Sequence, residues 1–476
     1  MKLKTISYCM LAAATLTISS CKNLTEVNPK VDESAVNTVN NPNAEVNSWV
    51  YDQLKTYYLW ESEMVAKAKT DTKLATDKYF ESILVKPGEV DRFSWIQKEV
   101  AELLASLSGV NKVLGIRNTV VFLDAAKTKI ALAIAYALKG SAAEKAGLKR
   151  GDFITRIDGI DLTPDNYSKL LTNETLKITL GEYVGGEIKS TTKVVTVTKT
   201  EHQTDPIQHY SIIEIGNKKI GYLVYLQFLT QYDANIRNVF KEFKDKGVNE
   251  LVLDFRYNGG GYTSSADIIS SLIVKDLKPG TLMYREVWNT LLTSEYKTKY
   301  GSKVFDTNWG NEPNNLGKLN RVYVLTSGGT ASASELVINN LKPFMEVILI
   351  GGNTYGKNVG SITLSDDKKR WNWGMQPIVM KTVNAKGESE YGTKDGFTPN
   401  FKVTDNIIPY KNLGDPQETL LKVAIENITG KPVSMTQNNA RQGASRKVEI
   451  LNSAYPLDNP QGEIRDMWIN KLPGQK

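Results

Sequence analysis

The sequence predicts an α/β core preceded by a small β-rich domain and a helical segment, and three patterns carry that prediction. Between about residues 211 and 430, apolar runs such as Ile220–Leu226, Glu250–Phe255, Arg321–Leu325 and Val347–Ile350 alternate with helical stretches such as 233–244. Nearly unbroken apolar strands separated by helices are expected where both faces of a sheet are covered. Between about 109 and 199 the pattern changes to short β-rich runs, Thr119–Leu123 and Ile130–Ala135, followed by turn glycines at 147, 151 and 159. Between about 46 and 107, Trp49, Leu54, Tyr57, Tyr58 and Trp60 lie near helical spacing and read as core residues.

Taken in order, the chain divides into 1–20, 21–47, 48–108, 109–200, 211–430 and 431–476. In the first segment Lys2 and Lys4 precede an apolar stretch, Ile6–Ile18, too short to span a bilayer as a mature helix. It ends in Ile18-Ser19-Ser20-Cys21, which resembles a bacterial lipobox, where cleavage precedes a cysteine that receives lipid. The alternative is an ordinary signal peptide that happens to contain a cysteine. Two or more acyl chains would anchor the protein firmly, at roughly 0.8 kcal/mol per buried CH₂. Lys22 is not the acidic residue of inner-membrane retention, so the expected location is the outer membrane of a cell envelope. Residues 21–47 are polar and read as a tether. In 48–108, Asp91-Arg92-Phe93-Ser94-Trp95 reads as a turn into a further helix. The last segment lacks sustained periodicity and reads as an extended or partly disordered arm with no assigned task.

Composition excludes several chemistries. The only cysteines are Cys9 and Cys21, so the body beyond them has no thiol for a disulfide, a metal site or a nucleophile. Two histidines, His202 and His209, cannot make a histidine cluster, and a Ser-His hydrolase would have to use one of them. The net charge of +7 is spread thinly and comes with no basic run interleaved with aromatics, so nucleic acid is not an expected partner.

In the β-rich part, Lys139–Asp152 runs into Phe153-Ile154-Thr155-Arg156-Ile157-Asp158-Gly159. Ser141 or Gly140 starts a short helix through Ala146, Gly147 ends it, Gly151-Asp152 turns into a strand, and Asp158-Gly159 is a hairpin turn signal. This stretch resembles a PDZ domain, which takes a peptide C-terminus as an added strand and captures its carboxylate on backbone amides. Leu114-Gly115-Ile116 is the candidate carboxylate loop.

Three stretches of the α/β part carry chemistry. Asp254-Phe255-Arg256-Tyr257-Asn258-Gly259-Gly260-Gly261 runs a strand into three glycines, which let main-chain N–H groups approach a ligand. A plain glycine loop is the alternative, and a phosphate cradle is poorly supported because no Gly-Lys-Ser/Thr follows. Thr330-Ala331-Ser332-Ala333-Ser334-Glu335 sits at a strand-to-helix junction, where the helix N-terminus favours the negative charge of a reacting oxygen. Simple helix capping is the bland alternative. Thr354-Tyr355-Gly356-Lys357 follows another strand. A lysine there is ordinarily a solvated surface residue, and acting as a base requires desolvation.

In this order, downstream of a PDZ-like stretch, these motifs resemble the carboxy-terminal processing peptidases, or tail-specific proteases, over about Gly109–Gly430. Ser332 and Lys357 stand 25 positions apart, which fits the family spacing. The resemblance implies a crotonase-like (ClpP/crotonase) core with a preceding or inserted PDZ domain. It implies a serine-type endopeptidase in which Ser332 attacks the carbonyl and Lys357 takes its proton. The N–H groups of Ala333 and Gly260 would form the oxyanion hole, while Asp254 and Arg256 hold the loop. Many members carry Gln four residues after the lysine to orient it; Ser361 stands there, and its hydroxyl has a shorter reach. Ser334 is two residues off the nucleophile's register. No metal or organic cofactor is implied, and the expected partners are polypeptides with accessible C-termini and, through Cys21, a membrane. The competing reading is a catalytically inactive, PDZ-containing peptide-binding lipoprotein. A carrier of small apolar ligands on the same scaffold is a more remote alternative.

Overall fold

The computed structural model describes residues 43–430, 446–447, 449–456, 467–469 and 472–474. The expected signal peptide, Cys21 and most of the 21–47 tether lie outside them. The first helix, α1 (Ala44–Tyr57), begins within the stretch read as tether, because Val46 and Asn47 are already buried. With α2 (Thr76–Ile83), α1 packs Val50, Leu54, Tyr79 and Phe80 into a small core. The turn at Asp91–Ser94 leads first into a strand, β1 (Trp95–Gln97), which pairs antiparallel with Gly374–Gln376. Only then does α3 (Val100–Leu107) follow. The expected helix is displaced because this segment's edge finds a partner nearly three hundred residues away.

The β domain contains β2 (Ile116–Phe122), β3 (Ile130–Ala137), the short helix α4 (Ala142–Lys145), β4 (Phe153–Ile157), β5 (Thr175–Val184) and β6 (Glu187–Thr198). They pair antiparallel in that order. The turn residues behave as expected: Ser141 caps α4, Gly147 ends it at φ 83°, and Asp158-Gly159 turns with both φ positive. In β3, Ile130, Leu132 and Ile134 face the domain's own core, while Ala131, Ala133 and Ala135 face the α/β core. Large residues fill one side, and alanines let two layers approach on the other.

The α/β core is built on β7 (Ile207–Ile215), β8 (Lys218–Tyr225), β9 (Glu250–Asp254), β12 (Arg321–Thr326), β13 (Glu346–Gly351) and β16 (Phe401–Lys402), with β10 (Gly261–Tyr262), β11 (Leu282–Trp288), β14 (Val359–Ser361) and β15 (Ile378–Asn384) in a second sheet. These strands are neighbours in that order, and all pairs after β7–β8 are parallel. One face packs on α5 (Asp233–Asp245), α6 (Thr263–Ile273) and α7 (Ala333–Leu341). The other face packs on α8 (Thr419–Thr429) and the alanine side of β3. Coverage on both faces is why these strands read as unbroken apolar runs.

The second sheet orders β10 (Gly261–Tyr262), β18 (Met467–Trp468), β14 (Val359–Ser361), β15 (Ile378–Asn384) and β11 (Leu282–Trp288), followed by Asp306–Asn308. Within the C-terminal extension, β17 (Ile450–Pro456) joins the outer edge of the β domain beside β2. Residues 431–445 and 457–466 lie outside the described set.

Candidate active site

The loops after β9, β12 and β13 all leave the same end of a parallel sheet, which brings the three chemistry-bearing motifs together. Ser332 is the last residue before α7 and is fully buried. Its backbone stands at φ 64°, ψ −113°, a conformation a non-glycine residue rarely adopts. At this junction the first N–H groups of α7 have no intrahelical acceptors. The Oγ of Ser332 is buried and, among the described residues, bonds neither a histidine nor Lys357; it faces the start of α7 in a capping box with Glu335.

Glu335 holds the neighbourhood together. It lies one turn into α7, and its carboxylate accepts the N–H of Ser332 and the N–H of Lys357 on the same oxygen, each at 2.8 Å. Its other oxygen accepts the Gly356 N–H at 2.8 Å and the Thr354 hydroxyl. One buried carboxylate therefore ties the backbone of the candidate nucleophile to the backbone of the candidate base. Burial pushes its pKa up to about 7, against the four hydrogen bonds that favour the anion.

Lys357 is 1% exposed. Gly356 precedes it at φ 83°, and a methyl group there would lie 1.7 Å from the Thr393 carbonyl oxygen, so only glycine fits. The lysine amine stands 4.7 Å from the centroid of the Phe93 ring. Phe93 comes from the N-terminal segment, where Asp91 accepts the N–H groups of Phe93 and Ser94 at 3.0 and 2.9 Å and the Tyr58 hydroxyl at 2.7 Å. Arg92 donates to the Gly356 carbonyl, fastening this turn to the lysine loop. Ser361 is buried, and its hydroxyl donates to the Met467 carbonyl at 3.3 Å.

The glycine loop is organised by Asn258. Its side-chain N–H donates to the Tyr225 carbonyl, and its own carbonyl accepts from the Ala331 N–H and the Ser334 hydroxyl, both at 3.1 Å. Ser334 is thus engaged in binding the two loops together. The Gly260 N–H, expected in the oxyanion hole, donates to Asn258 Oδ1 at 2.9 Å. Ala333 opens α7, as the expected role requires. Behind the loop, buried Arg256 pairs with Asp254 through two bonds of 2.8 and 2.9 Å and with both oxygens of Glu418 at 2.7 and 2.9 Å. Arg150 of the β domain reaches the same Glu418 at 3.2 Å and the Tyr257 hydroxyl at 3.0 Å. A buried ionic network thus anchors the glycine loop to both the core and the β domain.

Three sequence profiles match the chain in the order of its parts. One described as the Peptidase S41 N-terminal domain matches residues 45–95, a PDZ domain matches 134–180, and Peptidase family S41 matches 219–403. The central part of the chain, residues 219–403, is thus similar to peptidase family S41. A carboxyl-terminal-processing protease of Synechocystis is 25% identical over 304 residues, covering 62% of this chain and 64% of that protein. A chloroplastic C-terminal processing peptidase of Tetradesmus obliquus is 24% identical over 285 residues, covering 57% of this chain and 56% of its own. The chain therefore spans less than two thirds of the curated relatives it matches first. Among solved structures, a candidate S41 protease from Bacteroides fragilis superposes with a TM-score of 0.67 at 26% identity, covering 80% of this chain and 97% of that one.

Ser332 and Lys357 were legible in the sequence, whereas Glu335, Asn258 and Phe93 had no site role there. Glu335 had a signal, because Ser-x-x-Glu before an apolar helix is a capping-box pattern. Phe93 had none, since it belongs to a different segment from the residue it covers.

Proposed function

We propose that this protein is a serine-type endopeptidase that cuts polypeptides recognised partly through their C-termini. Ser332 Oγ attacks the carbonyl carbon while the neutral amine of Lys357 takes its proton. The oxyanion is met by the N–H of Ala333 and one from the glycine loop, each such donor being worth roughly 3–4 kcal/mol. Collapse breaks the C–N bond, and the Lys357 ammonium protonates the leaving amine. Water, giving its proton to Lys357, then attacks the acyl carbon; the Ser332 Oγ–C bond breaks, and Lys357 returns the proton to Oγ. The observation that carries this reading is the shared carboxylate of Glu335, which draws the backbones of Ser332 and Lys357 together in a buried site. Gly260 enters the oxyanion hole once its N–H leaves Asn258, a local turn of the loop.

The test is hydrolysis of an unstructured protein such as casein. Ser332→Ala and Lys357→Ala should each lower kcat by about a thousandfold or more. His202→Ala, His209→Ala and added chelator should leave it intact. That Ser332 Oγ is not bonded to Lys357 among the described residues also suits the inactive, peptide-binding reading, and equal rates in the wild type and Ser332→Ala would favour it.

We further propose that Cys21 carries lipid and holds the body at the outer membrane. Metabolic labelling with a fatty acid should mark the wild type and not Cys21→Ala, and the variant should leave the membrane fraction.

A further inference from the structure

The sequence left the C-terminal extension without a task; its described parts pair at 446–447 with Ile407–Ile408 and then occupy two further positions on strands of the body. The first is β2, the strand that directly follows Leu114-Gly115. β17 pairs with it antiparallel, Ile450 opposite Val121, Asn452 opposite Val120, and Pro456 opposite Arg117. The pairing continues backwards as the Phe122 N–H donates to the Glu449 carbonyl at 3.1 Å. The segment therefore runs with its C-terminal end towards the Leu114-Gly115 loop. That is the direction in which a peptide added as a strand would present its carboxylate to the loop.

The second position lies between the catalytic loops. β18 pairs parallel with β10, which leaves the glycine loop, and Trp468 is opposite Ser361 of β14, which follows Lys357. The Ser361 hydroxyl donates to the Met467 carbonyl, and the Ile469 N–H donates to the Ser361 carbonyl at 3.2 Å. Trp468 meets the Tyr262 ring edge-on at 5.2 Å and packs on Leu103 and Leu107 of α3. With this segment in place, the Gly260 N–H is held by Asn258, and among the described residues Ser332 Oγ is not bonded to Lys357.

We infer that these two edges are the docking positions of the substrate polypeptide, that the C-terminal extension is its built-in competitor, and that the slot beside Tyr262 takes a large apolar residue where Trp468 now lies. This inference rests on the peptidase reading. The physical logic is one of strand addition: both edges offer main-chain hydrogen bonds to any extended chain, and side chains select the occupant. A competitor on the same chain acts at an effective concentration of the order of millimolar, so a dilute substrate enters only when it leaves.

Two variants of the full chain test this. Trp468→Ala should loosen the competitor and lower the KM for casein by about tenfold with little change in kcat. A synthetic peptide of residues 446–476 should then inhibit that variant competitively. Val120→Cys with Asn452→Cys, placed opposite each other, should lock β17 on β2 when oxidised. Hydrolysis should fall at least about fivefold against either single-cysteine variant and return with reductant. A Trp468→Ala protein that melts lower without a lower KM, together with a lock that leaves hydrolysis unchanged, would make both strands structural staples and overturn the inference. Failure of the peptidase reading shows itself separately. If no form cuts casein, anisotropy of a fluorescent, unstructured peptide on Ser332→Ala protein still reads the competition, rising with Trp468→Ala and falling with the lock. Unchanged binding in both would overturn the inference on its own terms.

Discussion

At the scale of the residue, Glu335 is where geometry and titration meet. All four hydrogen bonds to its carboxylate come from donors, so a proton added to it has no acceptor and must displace one of them. With a pKa of about 7, the arrangement around Ser332 and Lys357 should loosen as pH falls through neutrality. Activity should therefore decline below pH 7 with an inflection that Glu335→Gln removes. The amide keeps one acceptor oxygen and turns a donor towards other donors, a mismatch of about 1–3 kcal/mol, so its kcat should drop roughly ten- to a hundredfold. Stability runs the other way. A carboxyl whose folded pKa is raised contributes most below the unfolded value near 4.5, and that contribution is lost as pH rises to about 7. The melting temperature of wild type relative to Glu335→Gln should accordingly fall between pH 4.5 and 7. A flat difference would mean that the carboxylate does not titrate in this range.

At the scale of the element, β3 shows how one strand serves two cores. Its large residues fill the β domain, and its alanines form a thin seam against the α/β sheet. Ala133→Leu would place a larger side chain in that seam. Overpacking of this kind costs about 1–3 kcal/mol, and chemical denaturation should register it as a lower midpoint. Ile134→Val, on the same strand but facing the domain's own core, removes only a methylene and should cost about 0.5–1.5 kcal/mol. Equal effects from both would argue that the seam is loose.

At the scale of the whole molecule, the buried network of Arg150, Arg256, Asp254 and Glu418 ties the β domain, the glycine loop and α8 into one unit. Burial alone would raise the Glu418 pKa, but Arg256, and Arg150 after it, hold it down at about 2. A depressed carboxyl contributes stability above its unfolded pKa near 4.5, and that stability is lost as pH falls towards 2. Arg150→Met leaves Glu418 with one cationic partner fewer. The variant should unfold at higher pH on acid titration and lose about 3–5 kcal/mol at neutrality, the scale for breaking a buried pair. A titration curve superimposable on the wild type would place the domain contact elsewhere.

Much of this protein was legible in the order of its residues. The alternation of apolar runs and helices in 211–430, the glycines at positive φ in the β domain, and the spacing of Ser332 and Lys357 are all local or periodic signals, and the fold follows them. What only the tertiary structure decided is what depends on distant partners. Trp95–Gln97 is a strand because Gly374–Gln376 offers it an edge, and Phe93 covers Lys357 because Asp91 and Arg92 fasten its turn to that loop. The polar C-terminal extension carries no periodicity, yet it forms strands wherever β2, β10 and β14 present unpaired backbone. The physical reason is common to all three. A helix or a turn satisfies its hydrogen bonds within a few residues, so sequence alone can announce it, whereas an edge strand or a desolvated amine is defined by groups that only folding brings near.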